Sequence, residues 1–78
     1  MENLLISIVT GLVEKQNEVN ITVSEGSDNL TIYHIHTARE DVGRVIGKNG
    51  RIISAIKTIA YASASKTGKK IEVTVDSF

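Results

Sequence analysis

The strongest constraint on this chain is an interruption. Between Asp41 and Ile56 the sequence reads DVGRVIGKNGRIISAI, and Gly47 and Gly50, three apart, break an otherwise helix-compatible apolar run. Ahead of the break, Asp41 can cap a short helix that reaches about Ile46; behind it, a longer helix runs from about Arg51 to Ser65. The break feeds straight into a helix start, where unpaired N–H groups and the helix dipole favour an anion. Glycine admits backbone angles closed to other residues and lets a ligand backbone come close. Within the loop, Lys48 brings a mobile positive charge and Asn49 a donor and acceptor pair, while Arg51 adds a fork suited to phosphate. Ile46 and Ile53 would lay an apolar floor beside this clamp. A phosphate clamp beside an apolar groove describes a reader of single-stranded nucleic acid.

The remaining sequence sets the frame around the loop. Leu4, Leu5, Ile8, Val9, Leu12 and Val13 recur at three- and four-residue spacing, which predicts an amphipathic helix from about Glu2 to Lys15, with Gly11 as its weak point. Val19, Ile21 and Val23 alternate with polar residues as in a half-buried strand, and Gly26 to Asn29 form a turn. Leu30 to Ala38 is β-rich and pairs with the first strand as a hairpin. Ile71, Val73 and Val75 alternate as a last strand after Thr67, Gly68 and Lys69 end the long helix. The order α-β-β-α-α-β is an α+β fold: the two helices form a crossover, so the second and third strands run parallel. A three-stranded mixed sheet with its helices packed on one face follows, with Thr22, His34, His36, Glu72 and Thr74 on the open face.

Charge points the same way. Residues 1–41 hold two bases and seven acids, whereas residues 42–71 hold seven bases and not one acid, inside a chain of net charge zero. A local anionic partner fits that asymmetry better than general stickiness; a solvated lysine-rich helix face is the plainer alternative. A chain of 78 residues makes one domain with a modest core, a poor base for a deep catalytic cavity. There is no cysteine, hence no disulfide framework and no thiolate zinc site. No basic, apolar leader is evident and no apolar run approaches the roughly 18 residues that span a bilayer, so a soluble cytoplasmic protein without membrane contact is expected.

Taken with its context, a hydrophobic-Gly-x-x-Gly-basic run between two helices resembles the KH signature, whose loop clamps about four nucleotides of backbone. The leading helix and hairpin match the type II, prokaryotic arrangement. Length and the string from Asp41 to Ile56 are similar to the stand-alone bacterial KhpA family, and the resemblance spans essentially the whole chain. It implies that Gly47, Lys48, Asn49 and Gly50 form the RNA loop with Ile46, Arg51 and Ile53 as its flanks; Arg44 and Lys57 join the expected RNA-contact set. It further implies self-association, pairing with a larger Jag-type KH protein, and a role as RNA chaperone or post-transcriptional regulator affecting cell-wall synthesis and cell length. The Ala-Ser-Ala-Ser tail of the second crossover helix is the departure from the family pattern.

Other readings are weaker. Gly47 and Gly50 also fit an ordinary helix end and turn. A P-loop fails, because Gly43 to Gly47 is one residue short and Asn49 holds the Ser/Thr place. His34 and His36 share one strand face, a spacing a metal could use, but no third ligand is in view. No catalytic residue, cofactor or small-molecule substrate is expected. Tyr33, Tyr61 and Phe78 are too few and scattered for a base-stacking platform of the RRM kind. On the longer crossover helix, Ile52, Ile56 and Ile59 are expected to face the sheet, leaving Ile53, Ala60, Tyr61 and Ala64 as a second line suited to a homodimer interface or, alternatively, to broad burial of the helix against both the sheet and the N-terminal helix. A KH-fold adaptor acting mainly through dimerisation is therefore the alternative to an RNA-binding module.

Overall fold

The computed structural model describes residues 1–77, so Phe78 lies outside the described residues. Six main elements follow the expected order: α1 (Glu2–Thr10), β1 (Asn20–Glu25), β2 (Leu30–Thr37), α2 (Val42–Ile46), α3 (Arg51–Ser65) and β3 (Lys70–Ser77). Short 3-10 turns at Gln16–Glu18, Arg39–Asp41 and Lys48–Gly50 join them. The sheet order is β1-β2-β3, with β1 antiparallel and β3 parallel to β2.

The hairpin closes through Asp28 (φ 58°) and Asn29 (φ 63°), the two positive angles that a type I′ turn requires. Its register pairs Asn20 with His36 through Glu25 with Thr31. Period-two alternation then sorts the sheet. Ile35 and Val73, both 0% exposed, face the helices beside Leu5, Val9, Val45, Ile56 and Ala60, which form the core. Burying each such Leu, Ile or Val stabilises the fold by about 1.5–3 kcal/mol relative to exposure. On the open face the Thr22 and Ser24 hydroxyls contact His36 Nε2 (3.1 Å) and His34 Nε2 (3.0 Å), and His34 Nδ1 contacts the Thr74 hydroxyl (2.9 Å).

Three local expectations are corrected. α1 ends at Thr10, not Lys15: the Thr10 hydroxyl donates back to the Ile6 carbonyl (2.8 Å), and the chain turns at Gly11. Leu12 and Val13 still pack on the core, which is why helical spacing outlasts the helix. Val23, expected half-buried, is 42% exposed on the edge strand β1. The phase of α3 also differs. Its buried stripe is Ile56, Ala60 and Ala64 at four-residue spacing, while Ile59, expected to face the sheet, is 48% exposed.

A candidate nucleic-acid interface

The loop owes its shape to local backbone demands. Val45 anchors α2 in the core, and the Gly47 N–H donates to the Gly43 carbonyl (2.8 Å), closing the helix. Gly47 then takes φ 76° and ψ 172°, a region essentially reserved for glycine. A Cβ there would stand 2.5 Å from Ile52 Cγ1, so space and conformation both demand glycine. Lys48 to Gly50 make one turn, with the Gly50 N–H on the Gly47 carbonyl (3.1 Å), and Asn49 (φ 58°) and Gly50 (φ 72°) are both left-handed. At Gly50 a Cβ would meet nothing within 4 Å: this glycine is demanded by its angle and faces open space. No side chain caps α3 and no acid lies in its first turn. The charges of Lys48 and Arg51 are exposed, and among the described residues neither has an ion-pair partner.

Flanking residues divide into those that open onto this loop and those held elsewhere. Ile46 and Ile53 are half-buried, leaving part of each side chain accessible. Ile53, Lys57 and Tyr61 follow one another at four-residue spacing, so they form a single ridge along α3. That ridge faces β3, because Lys57 Nζ lies 3.9 Å from Glu72 Oε1 and the Tyr61 hydroxyl donates to the same oxygen (3.1 Å). Burial first, and the Glu72 carboxylate second, raise the Tyr61 phenol above its ordinary value, so it remains a donor at neutral pH. Glu72 also accepts from the Val73 N–H (3.1 Å), folding over the exposed edge of β3.

Arg44, expected to contact RNA, is tied to acidic partners in the fold while its side chain stays 45% exposed. Its guanidinium donates to Asp41 Oδ1 (3.1 Å) and Glu14 Oε1 (2.9 Å), so it is committed within the fold. Asp41, expected to cap α2, makes no cap hydrogen bond. Fully buried, it accepts instead from the backbone N–H groups of Glu14 (3.2 Å) and Lys15 (3.0 Å), tying α2 to the segment after α1. The Lys15 N–H bond above all, against the opposing effect of burial, holds its carboxyl below the usual 3.8. Beside it the Lys15 ammonium, 3.0 Å from Glu40, is raised above its ordinary value chiefly by that hydrogen bond. Ala60 (0% exposed) and Ala64 (4%), expected at an interface between copies, are packed almost wholly inside the monomer, whereas Tyr61 is 39% exposed and Ile53 half-buried. His34 and His36 join no group of three or more potential metal ligands among the described residues. Sequence reasoning missed the roles of Asp41 and Glu72; their partners lie across the fold, and no local spacing signals them.

Comparison with known proteins places this geometry. The KhpA/KhpB KH-domain model matches residues 2–75. The chain belongs to that family. Among its relatives, the RNA-binding protein KhpA of Listeria monocytogenes is 48% identical over 75 residues, covering 96% of this chain and 97% of the relative. The proteins of the same name from Streptococcus pneumoniae and Borreliella burgdorferi are 40% and 39% identical, covering 97% and 92% of this chain and 94% and 87% of theirs. As a KhpA/KhpB-type KH domain the chain has the type II order, in which β2-α2-loop-α3-β3 is the unit carrying Gly47 to Gly50. The family is one of KH domains, not of enzymes. No helix is long and apolar enough to cross a membrane among the described residues.

Proposed function

We propose that residues 1–78 act as a single KH domain that grips single-stranded RNA through the Gly47–Gly50 loop, with Ile46 and Ile53 as floor and Lys48, Asn49 and Arg51 on the phosphates. The observation that carries this reading is the loop itself: two cations without an ion-pair partner among the described residues, beside an uncapped helix start, with open space at Gly50. Relatives at 37–48% identity bear the name RNA-binding protein, which supports the ligand class. Lys57 extends the contact along α3. Work in the cytoplasm as an RNA chaperone or post-transcriptional regulator, with effects on cell-wall homeostasis and cell length, belongs to the same reading and rests on the family resemblance. The test is Lys48→Asp with Asn49→Asp, which sets two carboxylates against phosphate. RNA affinity should collapse in a gel-shift titration while circular dichroism is unchanged; unchanged affinity would falsify the grip.

A second reading, pairing with another copy or with a larger Jag-type KH protein, draws on the outward face of α3. Ala55, Ile59 and Ala62 are exposed at helical spacing, and Arg51 is the single charged residue among the exposed positions of α3. Such a face is better suited to another protein than to water. Ile59→Glu should lower the sedimenting mass without lowering Tm, since Ile59 is half exposed in the monomer. A wild type already monomeric at high micromolar concentration removes the homodimer and leaves only pairing with a different KH protein.

A further inference from the structure

At the far end of α3 from the loop, a concavity of about 300 Å³ lies between the helix and the start of β3. Its lining is Tyr61, Ala64, Lys69, Lys70 and Ile71. Three kinds of surface meet there: a small apolar floor, one aromatic wall, and two exposed ammonium groups without an ion-pair partner among the described residues. At the rim stands the carboxylate of Glu72, held by the Tyr61 hydroxyl and the Val73 N–H.

We infer that this concavity is a second RNA subsite, which takes one nucleotide: its base against Tyr61 and its flanking phosphates on Lys69 and Lys70. The inference rests on the RNA-grip reading and extends it. The path is on the molecule. Ile53, Lys57 and Tyr61 form one ridge that leads from the loop to this end, with Glu72 of β3 beside Lys57 and Tyr61. Tyr61 stands eleven positions beyond Gly50, about 16 Å along the helix. A loop that clamps about four nucleotides leaves the next ones to be held here. Aromatic stacking accepts any base. Glu72 Oε1 is taken by Tyr61 and Val73, and the remaining oxygen, an acceptor only, favours a base edge rich in N–H donors. Guanine has such an edge; uracil flanks its single N–H with two carbonyls. Lysine ammonium groups suit phosphate as mobile point charges.

The test is a fluorescence-anisotropy titration of the whole chain with single-stranded RNAs of four to about eight nucleotides, carrying guanine or uracil at the end distant from the loop. Wild type should bind the longer RNAs more tightly than the tetranucleotide, and guanine better than uracil. Tyr61→Leu combined with Lys69→Gln and Lys70→Gln should bind the tetranucleotide as wild type does. It should lose about five- to a hundredfold on the longer RNAs, the range of one base stack. The salt slope should fall by about 1.4, the share of two phosphates on a single strand. The exposed Lys69→Gln/Lys70→Gln pair alone, which leaves the wall intact, should show the slope change with an unaltered melt. Equal length dependence in wild type and variant overturns the subsite. So does loss of sedimenting mass in Tyr61→Leu with RNA binding intact, since the wall would then be a protein contact. Loss of all binding, tetranucleotide included, is reserved for the loop variant; a loop variant that still binds the tetranucleotide refutes the grip, not this subsite.

Discussion

Two clusters of charge flank α2, and the fold treats them in opposite ways. At the start of the helix, Asp41, Arg44 and Glu14 are joined by hydrogen bonds of 2.9–3.1 Å, and Asp41 is fully buried. At its other end, Lys48 and Arg51 stand exposed without an acidic partner among the described residues. Five residues separate them, about 7.5 Å of helix. The first cluster has used its charge to fix where α2 sits, and removing one member would strand the others. The second contributes little to the fold, as exposed charges do, and under the proposed grip its charge is available to a ligand. Proximity to the loop therefore does not by itself tell which basic residue is available to a ligand; how closely an acidic partner holds it also counts, at 2.9–3.1 Å for Arg44 against 3.9 Å for Lys57.

The contrast is tested most severely at Asp41. Asp41→Ala leaves two backbone N–H groups without their acceptor and removes one of the two carboxylates that hold the Arg44 guanidinium, and Tm should fall by roughly 15 °C in a thermal melt. Because the folded carboxyl lies below 3.8, its contribution is complete above that pH and disappears as pH falls through the folded value. Wild type and variant should thus differ fully at pH 7 and converge in strongly acidic solution. Equal melts at pH 7 would break the comparison.

A smaller effect is expected where the two clusters are kept apart. Gly47→Ala meets both a glycine-only angle and the Ile52 side chain, and should cost about 1–3 kcal/mol in a denaturant titration. Gly50→Ala has open space before it and only its angle to resist, at about 1–2 kcal/mol. Its loss in RNA affinity should exceed its loss in stability, since the new methyl stands where the ligand backbone approaches. If Gly50→Ala proves the more destabilising of the two, the geometry assigned to the loop is wrong.

The smallest effects sharpen the comparison most. Arg51→Gln should flatten the salt dependence of RNA binding by about 0.7 in slope and leave Tm in place. Arg44→Gln should do the reverse, lowering Tm by a few degrees while the slope holds. Matching slope changes in both variants would mean that Arg44 leaves its acids to reach RNA.

The sequence made the order of elements and the loop readable because both depend on neighbours within a few positions. Periodicity placed β1, β2 and β3, and the Gly-x-x-Gly interval needed only its two flanking helices to be recognised. What stays hidden depends on distance. The acidic partners of Arg44 are not legible, because Glu14, thirty positions earlier, is invisible to local pattern. Asp41 looked like a cap for the same reason. On α3, isoleucines at 52, 53, 56 and 59 surround much of the helix, so spacing alone does not fix its rotation; the core chose Ala60 and Ala64, small enough to let the helix lie close on the sheet. Leu12 and Val13 continued a helical rhythm that the backbone had already abandoned.

Glu72 has a consequence for how the molecule keeps to itself. A three-stranded sheet has two open borders, and an unpaired border strand is a template for another chain to add to, the first step toward insoluble assemblies. Along β3 the Glu72 carboxylate occupies the N–H of Val73, near the strand's middle, and sets a negative charge beside it. On the opposite border, β1 carries Asn20, Thr22, Ser24 and Glu25, with Val23 as its one well-exposed apolar side chain. A small protein can in this way remain at high concentration beside its own copies, meeting them through side chains and not by zipping backbone to backbone.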